Sequence, residues 1–219
     1  MERKILGLLI MCFLLGCQMV EAMERPCRVA VMDFGIHKGA SSSDITIENG
    51  ETAATDYVVQ RLVDSGSFKV MDKFLIEEKL AAEGLNTKGI IDPAKAQRIG
   101  QMLDVPYIIY GNVAGISTSD NGAQVSVGGV KTHAVKSRVI IRIMDVATGE
   151  ILMAAKGEGK SQSAEVTAGT DEIGVISIGS TKVYQVSVHN SLEKAAYNAV
   201  DLLIERLFGE GKAPATSSL

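Results

Sequence analysis

The sequence predicts an α/β fold: a mixed β-sheet flanked by helices, in the order β-α-β-α-α-β-β-β-α, with one or two β-hairpin arms. Three observations predict it. A β-branched run, Arg28 to Phe34 (RVAVMDF), halts at Gly35. Two stretches, 51–64 and 93–103, carry apolar residues at helical spacing. Between Lys136 and Val146, Val139, Ile141 and Ile143 recur every second residue, as strand side chains on one face must.

Arg28 to Phe34 reads as a buried strand. Residues 36–50 are polar, with Ser41, Ser42 and Ser43 in succession, and should form a loop. From Glu51 to Asp64, Ala54, Val58 and Leu62 share one helical face, and Ser65-Gly66 stops the helix. Phe68 to Met71 is a short strand. Asp72 can accept from the open N–H groups of the next helix, which runs to about Glu83 before Gly84 closes it. Asp92-Pro93 starts another helix, with the Asp as cap, the Pro in the first turn, and Ala96, Ile99 and Leu103 as its apolar stripe.

Val105 to Ile116 is a strand, and Lys136 to Val146 is another. Ala147-Thr148-Gly149 turns the chain into a partner strand from Glu150 to about Glu158. Ile173 to Ile178 and Val183 to Val188 read as a second hairpin around Gly179-Ser180. Asn190 with Glu193 resembles a capping box and is expected to start a last helix through Phe208. The small, polar residues 209–219 make a frayed tail.

The N-terminus has the pattern of an export signal over residues 1–22. Glu2, Arg3 and Lys4 precede an apolar run from Ile5 to Leu15, too short to anchor stably across a bilayer. Two endings compete. Leu14-Leu15-Gly16-Cys17 reads as a lipobox with Cys17 as the lipidation site, and Val20-Glu21-Ala22 reads as a signal-peptidase site cleaved after Ala22. The remaining residues, 23–208, suit one domain. A net charge of −4, no basic tract and no Trp argue against nucleic-acid binding. Cys12 and Cys17 lie within the signal, so cleavage leaves Cys27 unpaired, a small residue at the first strand rather than a reactive thiol.

RVAVMDF, SGSFKVMDK, DVPYIIYGNV and RIMDVATGEILMAAKGEG, in that order with helices between, resemble the CsgG family, the curli production assembly and transport proteins. The likeness spans about residues 28–160, more loosely the last helix, and Thr148-Gly149-Glu150 is its most specific part. It implies a periplasmic α/β domain, secreted as a lipoprotein in the best-known members. There, protomers form an outer-membrane ring, and each donates two β-hairpins to a shared barrel that passes unfolded curli subunits. The partners implied are further copies of the chain and a secreted or envelope protein.

The sequence departs from that pattern in three places. The lipobox has Leu where a small residue is preferred. The segments where barrel hairpins would lie, Ser117–Ser137 and Ser161–His189, hold one aromatic residue between them, Tyr184. Barrel strands of about 9–11 residues are ordinarily flanked by aromatic girdles, so water-exposed or self-packed β-arms are expected here. Finally, the loop after the first strand carries pore-narrowing aromatics in the channel proteins. Here it offers Ser41, Ser42, Ser43, Ile45, Ile47 and Asn49, expected to face a lumen or a partner. A second reading stays open: a monomeric periplasmic binding module resembling the lipoprotein activators of peptidoglycan synthases.

No catalytic, cofactor or metal site is expected. Ala154 to Ser161 (AAKGEGKS) fits a permissive phosphate-loop pattern, but no helical periodicity follows it to hold phosphate, so a strand end with a polar turn is expected. Asp33-Phe34-Gly35 copies a kinase tripeptide without a catalytic-loop signature. His37, His133 and His189 lack ligand spacing, and Glu77-Glu78 and Asp171-Glu172 are adjacent carboxylates that point apart. No nucleophile, base and orienting group can be named together.

Overall fold

The computed structural model describes residues 25–37, 50–85, 93–125, 128–168, 176–178 and 181–209. The elements are β1 (Cys27–Val31), β2 (Gly35–Ile36), α1 (Gly50–Asp64), β3 (Phe68–Val70), α2 (Lys73–Ala82), α3 (Pro93–Leu103), β4 (Tyr107–Val125), β5 (Gly128–Asp145), β6 (Ile151–Ala168), β7 (Ile176–Ile178) and α4 (Thr181–Phe208). The class is the one expected, with the short strand β2 added to the order and β7 falling within the expected Ile173–Ile178 arm. One sheet runs β3-β1-β4-β5-β6-β7, with β2 also on β4. β1 is parallel to both β3 and β4, and β4 to β7 are antiparallel.

The connections explain why helices lie on both faces. β1 crosses through α1 to β3 on one side, and β3 then crosses back over β1, through α2 and α3, to β4. Right-handed crossovers that run in opposite directions place their helices on opposite faces. The strands are patterned accordingly. In β1, Val29 and Val31 join Ala54, Val58 and Leu62 of α1 and Leu192, Ala195 and Ala199 of α4. Ala30 and the following Met32 join Ile76 and Leu80 of α2 and Ile99 and Leu103 of α3. From Val29 on, β1 is thus apolar on both faces because both are buried, while Arg28 near its start is exposed.

Local chemistry sets the ends. The Asp72 carboxylate accepts from Phe74 N–H at 2.9 Å, which starts α2 as expected. The Asp145-to-Glu150 turn is closed by the Asp145 carboxylate, which accepts from Ala147 N–H (2.7 Å) and Thr148 N–H (3.0 Å). Gly149 takes φ +75°, a conformation that a Cβ disfavours. The Thr-Gly-Glu signature is therefore a turn with its polar groups satisfied.

Three expectations are corrected. Val183–Val188, read as a strand, lies inside α4, which begins at Thr181, so Asn190 and Glu193 are mid-helix rather than a cap. Ser187, Val188, Ser191, Leu192 and Ala195 are buried at three-to-four-residue spacing, and this contact with the sheet overrides the β preference of the valines. The hairpin partner of β7 is instead the end of β6, with Val166 opposite Ile178. Ala154–Ser161 is not a strand end with a polar turn but the middle of β6. The strands also run further than expected: β4 and β5 pair without interruption from Ser117↔Lys136 out to Val125↔Gly128.

Candidate functional site

The two faces of β5 and β6 differ in cover. On one, α4 lies directly on β6. A Cβ on Gly157 would meet Ala195 O and Ala199, and one on Gly159 would meet Ser191 O and Ala195 N. The small residues Ser191, Ala195 and Ala199 form the facing ridge of the helix, one turn apart. The Ser191 hydroxyl donates to Val188 O at 2.9 Å, leaving the buried Ser137 hydroxyl to donate to Ser191 Oγ at 2.6 Å. The glycines that imitate a phosphate loop are thus seats for a helix. Side chains of α4 also reach over the outer edge of β6: Asn198 donates to Glu158 O (2.8 Å), Arg206 to Ala154 O (3.1 Å) and Lys194 to Lys160 O (3.3 Å).

The opposite face carries charge in the open. Glu158 stands at its centre, with Lys136 Nζ 2.9 Å from its carboxylate, Arg138 Nε at 3.2 Å and Lys156 Nζ at 3.4 Å. Strand register makes the cluster: Arg138 is opposite Glu158, Lys136 is opposite Lys160, and Lys156 is two residues from Glu158 on the same strand. Hydrogen bonds from Lys136, Arg138 and Lys156 hold the Glu158 carboxyl down to about 2, so it stays ionised at any physiological pH. Arg142 extends the row and donates to Asn112 Oδ1 at 3.4 Å. Two open depressions of about 280 and 330 Å³ border Lys136.

Beyond this cluster the sheet continues as a four-stranded ribbon. Its cross-strand rows follow from the register: Ala123, Val130, Val166 and Ile178 make one row, and Val125, Gly128, Ala168 and Ile176 the next. These rows lie six and eight residues along β5 from Lys136. Between them lies the row Gln124, Gly129, Thr167 and Ser177, and before them Asp120, His133 and Ser163 make one row and Gly122, Lys131 and Glu165 another. Only the two rows named first are apolar in residue type; nearer the core, Ser119, Ala134 and Gln162 make one row and Asn121, Thr132 and Ala164 the next. This arrangement is illegible within either expected arm, since it depends on which β6 and β7 residues lie beside β5.

Cys17, Ala22, Ser41, Ser42, Ser43, Ile45, Ile47, Asn49, Asp171 and Glu172 lie outside the described residues. Asp33, Phe34 and Gly35 form the turn out of β1, where Phe34 N–H donates to the buried Thr55 hydroxyl at 2.9 Å and Asp33 pairs with Lys73 at 2.9 Å. His37 follows β2, His133 is in β5, and His189 in α4 lies 3.4 Å from the Tyr57 hydroxyl. Glu77 and Glu78 are exposed on α2. The cationic cluster itself was missed in sequence, although its signal was present: Lys136 and Arg138, then Lys156, Glu158 and Lys160, are charged at every second position.

Cys27 is buried at the start of β1, and burial pushes its thiol up to about 11. The thiolate is the reactive form, so two pH units remove about 99 % of it near neutrality. A disulfide reagent at pH 8 is expected to label native Cys27 about 100-fold more slowly than the unfolded chain. Equal rates would show that the strand opens freely. The sign for stability follows: as pH rises from 9 towards 11 the unfolded chain loses this proton and the native one keeps it, so stability falls over that window.

A family profile described as "Curli production assembly/transport component CsgG" matches residues 17–218. No curated protein sequence matches the chain. Among solved structures, the chain is similar to the LpoB C-terminal domain from Escherichia coli, at 17 % identity and TM-score 0.44 over 68 % of this chain and 91 % of that one. It is similar to the lipoprotein GNA1162 from Neisseria meningitidis, at 19 % identity and TM-score 0.42 over 63 % and 85 %. The PelC dodecamer from Paraburkholderia phytofirmans matches at 12 % identity and TM-score 0.37 over 84 % and 89 %. None of these three superpositions reaches a TM-score of 0.5, and family membership rests on the profile match.

Proposed function

The chain belongs to the CsgG family, and from that premise we propose that this cell-envelope protein is a non-enzymatic, oligomeric component of an outer-membrane assembly or secretion apparatus. Residues 1–22 serve as its export signal, residues 23–208 as its periplasmic domain and residues 209–219 as a flexible tail. The observation that carries the reading is the ribbon. β4, β5 and β6 pair without interruption from Ser117, Lys136 and Lys160 out to Val125, Gly128 and Ala168, and such long neighbouring antiparallel strands are the form in which a barrel wall is built. The nine residues from Ser117 to Val125 extend about 30 Å, enough at a barrel tilt to span an apolar band of about 25 Å. A single ribbon leaves two edges open, and a ring of copies closes them edge to edge. On this reading the arms are not water-exposed.

The mechanism is conduction and docking rather than covalent chemistry. The helices and the double-sided core hold the ribbon at a defined angle, and the polar rows line a passage for a secreted or envelope protein. The loop with Ser41, Ser42, Ser43, Ile45, Ile47 and Asn49 faces that passage or the partner. The test is the mass, by light scattering, of the mature protein extracted from its native membranes in mild detergent. A discrete large oligomer is expected, with conductance when it is placed in liposomes. A monomer at every concentration would overturn the reading and favour the monomeric periplasmic module, which should then retrieve a peptidoglycan synthase in pull-downs.

A further inference from the structure

We infer that α2 of one copy docks on the open face of β5 and β6 of the next copy. Phe74 and Leu75 meet Ile151, Leu152 and Ala154 there, and Glu77 and Glu78 meet Arg142 and Lys156. The inference rests on the assembly proposed above and names the two surfaces through which its copies touch.

A gap in the helix layer is the first argument. On this side of the sheet α2 and α3 bury a core that runs from Ala30 and Met32 to Met144 and Val146 at the end of β5, and it includes no described residue of β6. On the other side α1 and α4 cover both halves, with α4 directly on β6. A sheet covered on both faces in one half and on one face in the other leaves room for another helix. The open stretch of β6 from Ala154 to Lys160 spans about 20 Å, and a ten-residue helix such as α2 is about 15 Å long.

The two surfaces are complementary. Ile76 and Leu80 fix the inner side of α2, whereas Phe74 is 79 % exposed and Leu75 42 %. Glu77 and Glu78 are exposed beside them, Lys73 is tied to Asp33, and Lys79 is half-buried. The open face carries the opposite charge next to apolar residues of its own. Ile151 and Leu152 are 46 % and 41 % exposed, Ala154 lies opposite Arg142, and Lys156 follows. Four of the six large apolar residues exposed among the described ones thus fall in these two patches, each bordered by charge of one sign. Exposed aromatic and aliphatic side chains grouped in this way mark contact surfaces.

Position is the third argument. β3 lies at one margin of the sheet, and β6 lies at the other along Ile151 to Ser163, since β7 joins it only from Val166. α2 shares its core with Ala30 and Met71, beside β1 and β3. The patches therefore sit at opposite margins of one chain, which cannot satisfy them on itself. Copies side by side satisfy both, and a contact between two different surfaces repeats head to tail until the rotation closes it into a ring. The ribbons would close edge to edge in the same sideways direction.

The experiment is cross-linking of the mature protein, extracted from its native membranes in mild detergent, with a short bis-maleimide. The double variant Phe74→Cys/Ala154→Cys should give a ladder of dimers, trimers and higher multiples on a denaturing gel. Either single variant should stay monomeric, because the two surfaces differ and Cys27 is buried. Phe74→Ser should weaken assembly about 30-fold, as loss of a contact hot spot does. Glu78→Lys should weaken it at least about tenfold, and adding Lys156→Glu should restore it, a rescue that misfolding does not produce. Light scattering on the same samples separates the two ideas. A discrete large oligomer that gives no ladder, or that Phe74→Ser leaves intact, overturns the inference and leaves the ring standing. Ladders from an assembly of open-ended mass refute the ring and leave the contact standing, and a monomer at every concentration overturns both.

Discussion

Replacing Gly157 or Gly159 with alanine is expected to lower stability by about 3 kcal/mol, at the upper end of the range for overpacked cores, and the double substitution by more. A Cβ at Gly157 would run into Ala195 O and lie 2.9 Å from Ala199 Cβ, and one at Gly159 would run into Ser191 O and lie 2.6 Å from Ala195 N. Most of these are backbone atoms of a helix, which cannot rotate aside as a flexible side chain would. Relief requires α4 to lift off β6, and that loosens Leu192, Val200 and Leu203, all fully buried on the sheet. Denaturant unfolding measures the loss. Lys156→Ala, one residue before Gly157 but on the open face, is the control and should shift stability by no more than about 0.5 kcal/mol. If the glycine variants unfold at the wild-type midpoint, the close helix seat described above is wrong.

The second large effect sits at the turn out of β1. Phe34 is fully buried, and its ring lies over Gly111, with Phe34 Cζ 2.8 Å from where a Gly111 Cβ would stand. Phe34→Ala should cost about 3–5 kcal/mol through the cavity it leaves. Gly111→Ala should cost about 1–3 kcal/mol by pushing on that ring and on Ile140 O. The double variant should be less destabilised than the sum, by about 1 kcal/mol, because without the ring the new methyl has space. The relief is partial, since Ile140 O stays in place. Strict additivity in a double-mutant cycle would mean that the two residues do not touch. The same contact explains why Asp33-Phe34-Gly35 looks like a motif: Phe34 is there to pack on a glycine, not to serve a nucleotide.

Local patterns were legible wherever one residue type dictated them. Asp72 at its cap, Gly66 and Gly84 at helix ends with positive φ, and Asp145 and Gly149 in their turn all act through their own backbone or the next few residues. The helical face of Ala54, Val58 and Leu62 and the alternation of Val139, Ile141 and Ile143 were readable for the same reason, since burial of one face repeats with the element's own period. The start of α4 was misread because Val183 and Val188 favour strands in isolation. The helix is held by the packing of Val188, Leu192 and Ala195 in the core against the sheet, which lies outside their sequence neighbourhood.

The candidate site divides along the same line. Alternating charge at Lys136, Arg138, Lys156, Glu158 and Lys160 is visible in the sequence as two unrelated short patterns. Pairing β5 with β6 in one register turns them into a single cluster, and a shift of one residue would send Lys156 and Glu158 to the α4 face. The sequence by itself determined the fold class, the family and most element boundaries, because these depend on periods and turns no longer than a few residues. Tertiary structure alone decided that two separate arms form one ribbon, that Gly157 and Gly159 seat a helix, and that charges from β5 and β6 gather around Glu158. Those depend on which strands become neighbours, and neighbours are chosen by the packing of the whole chain.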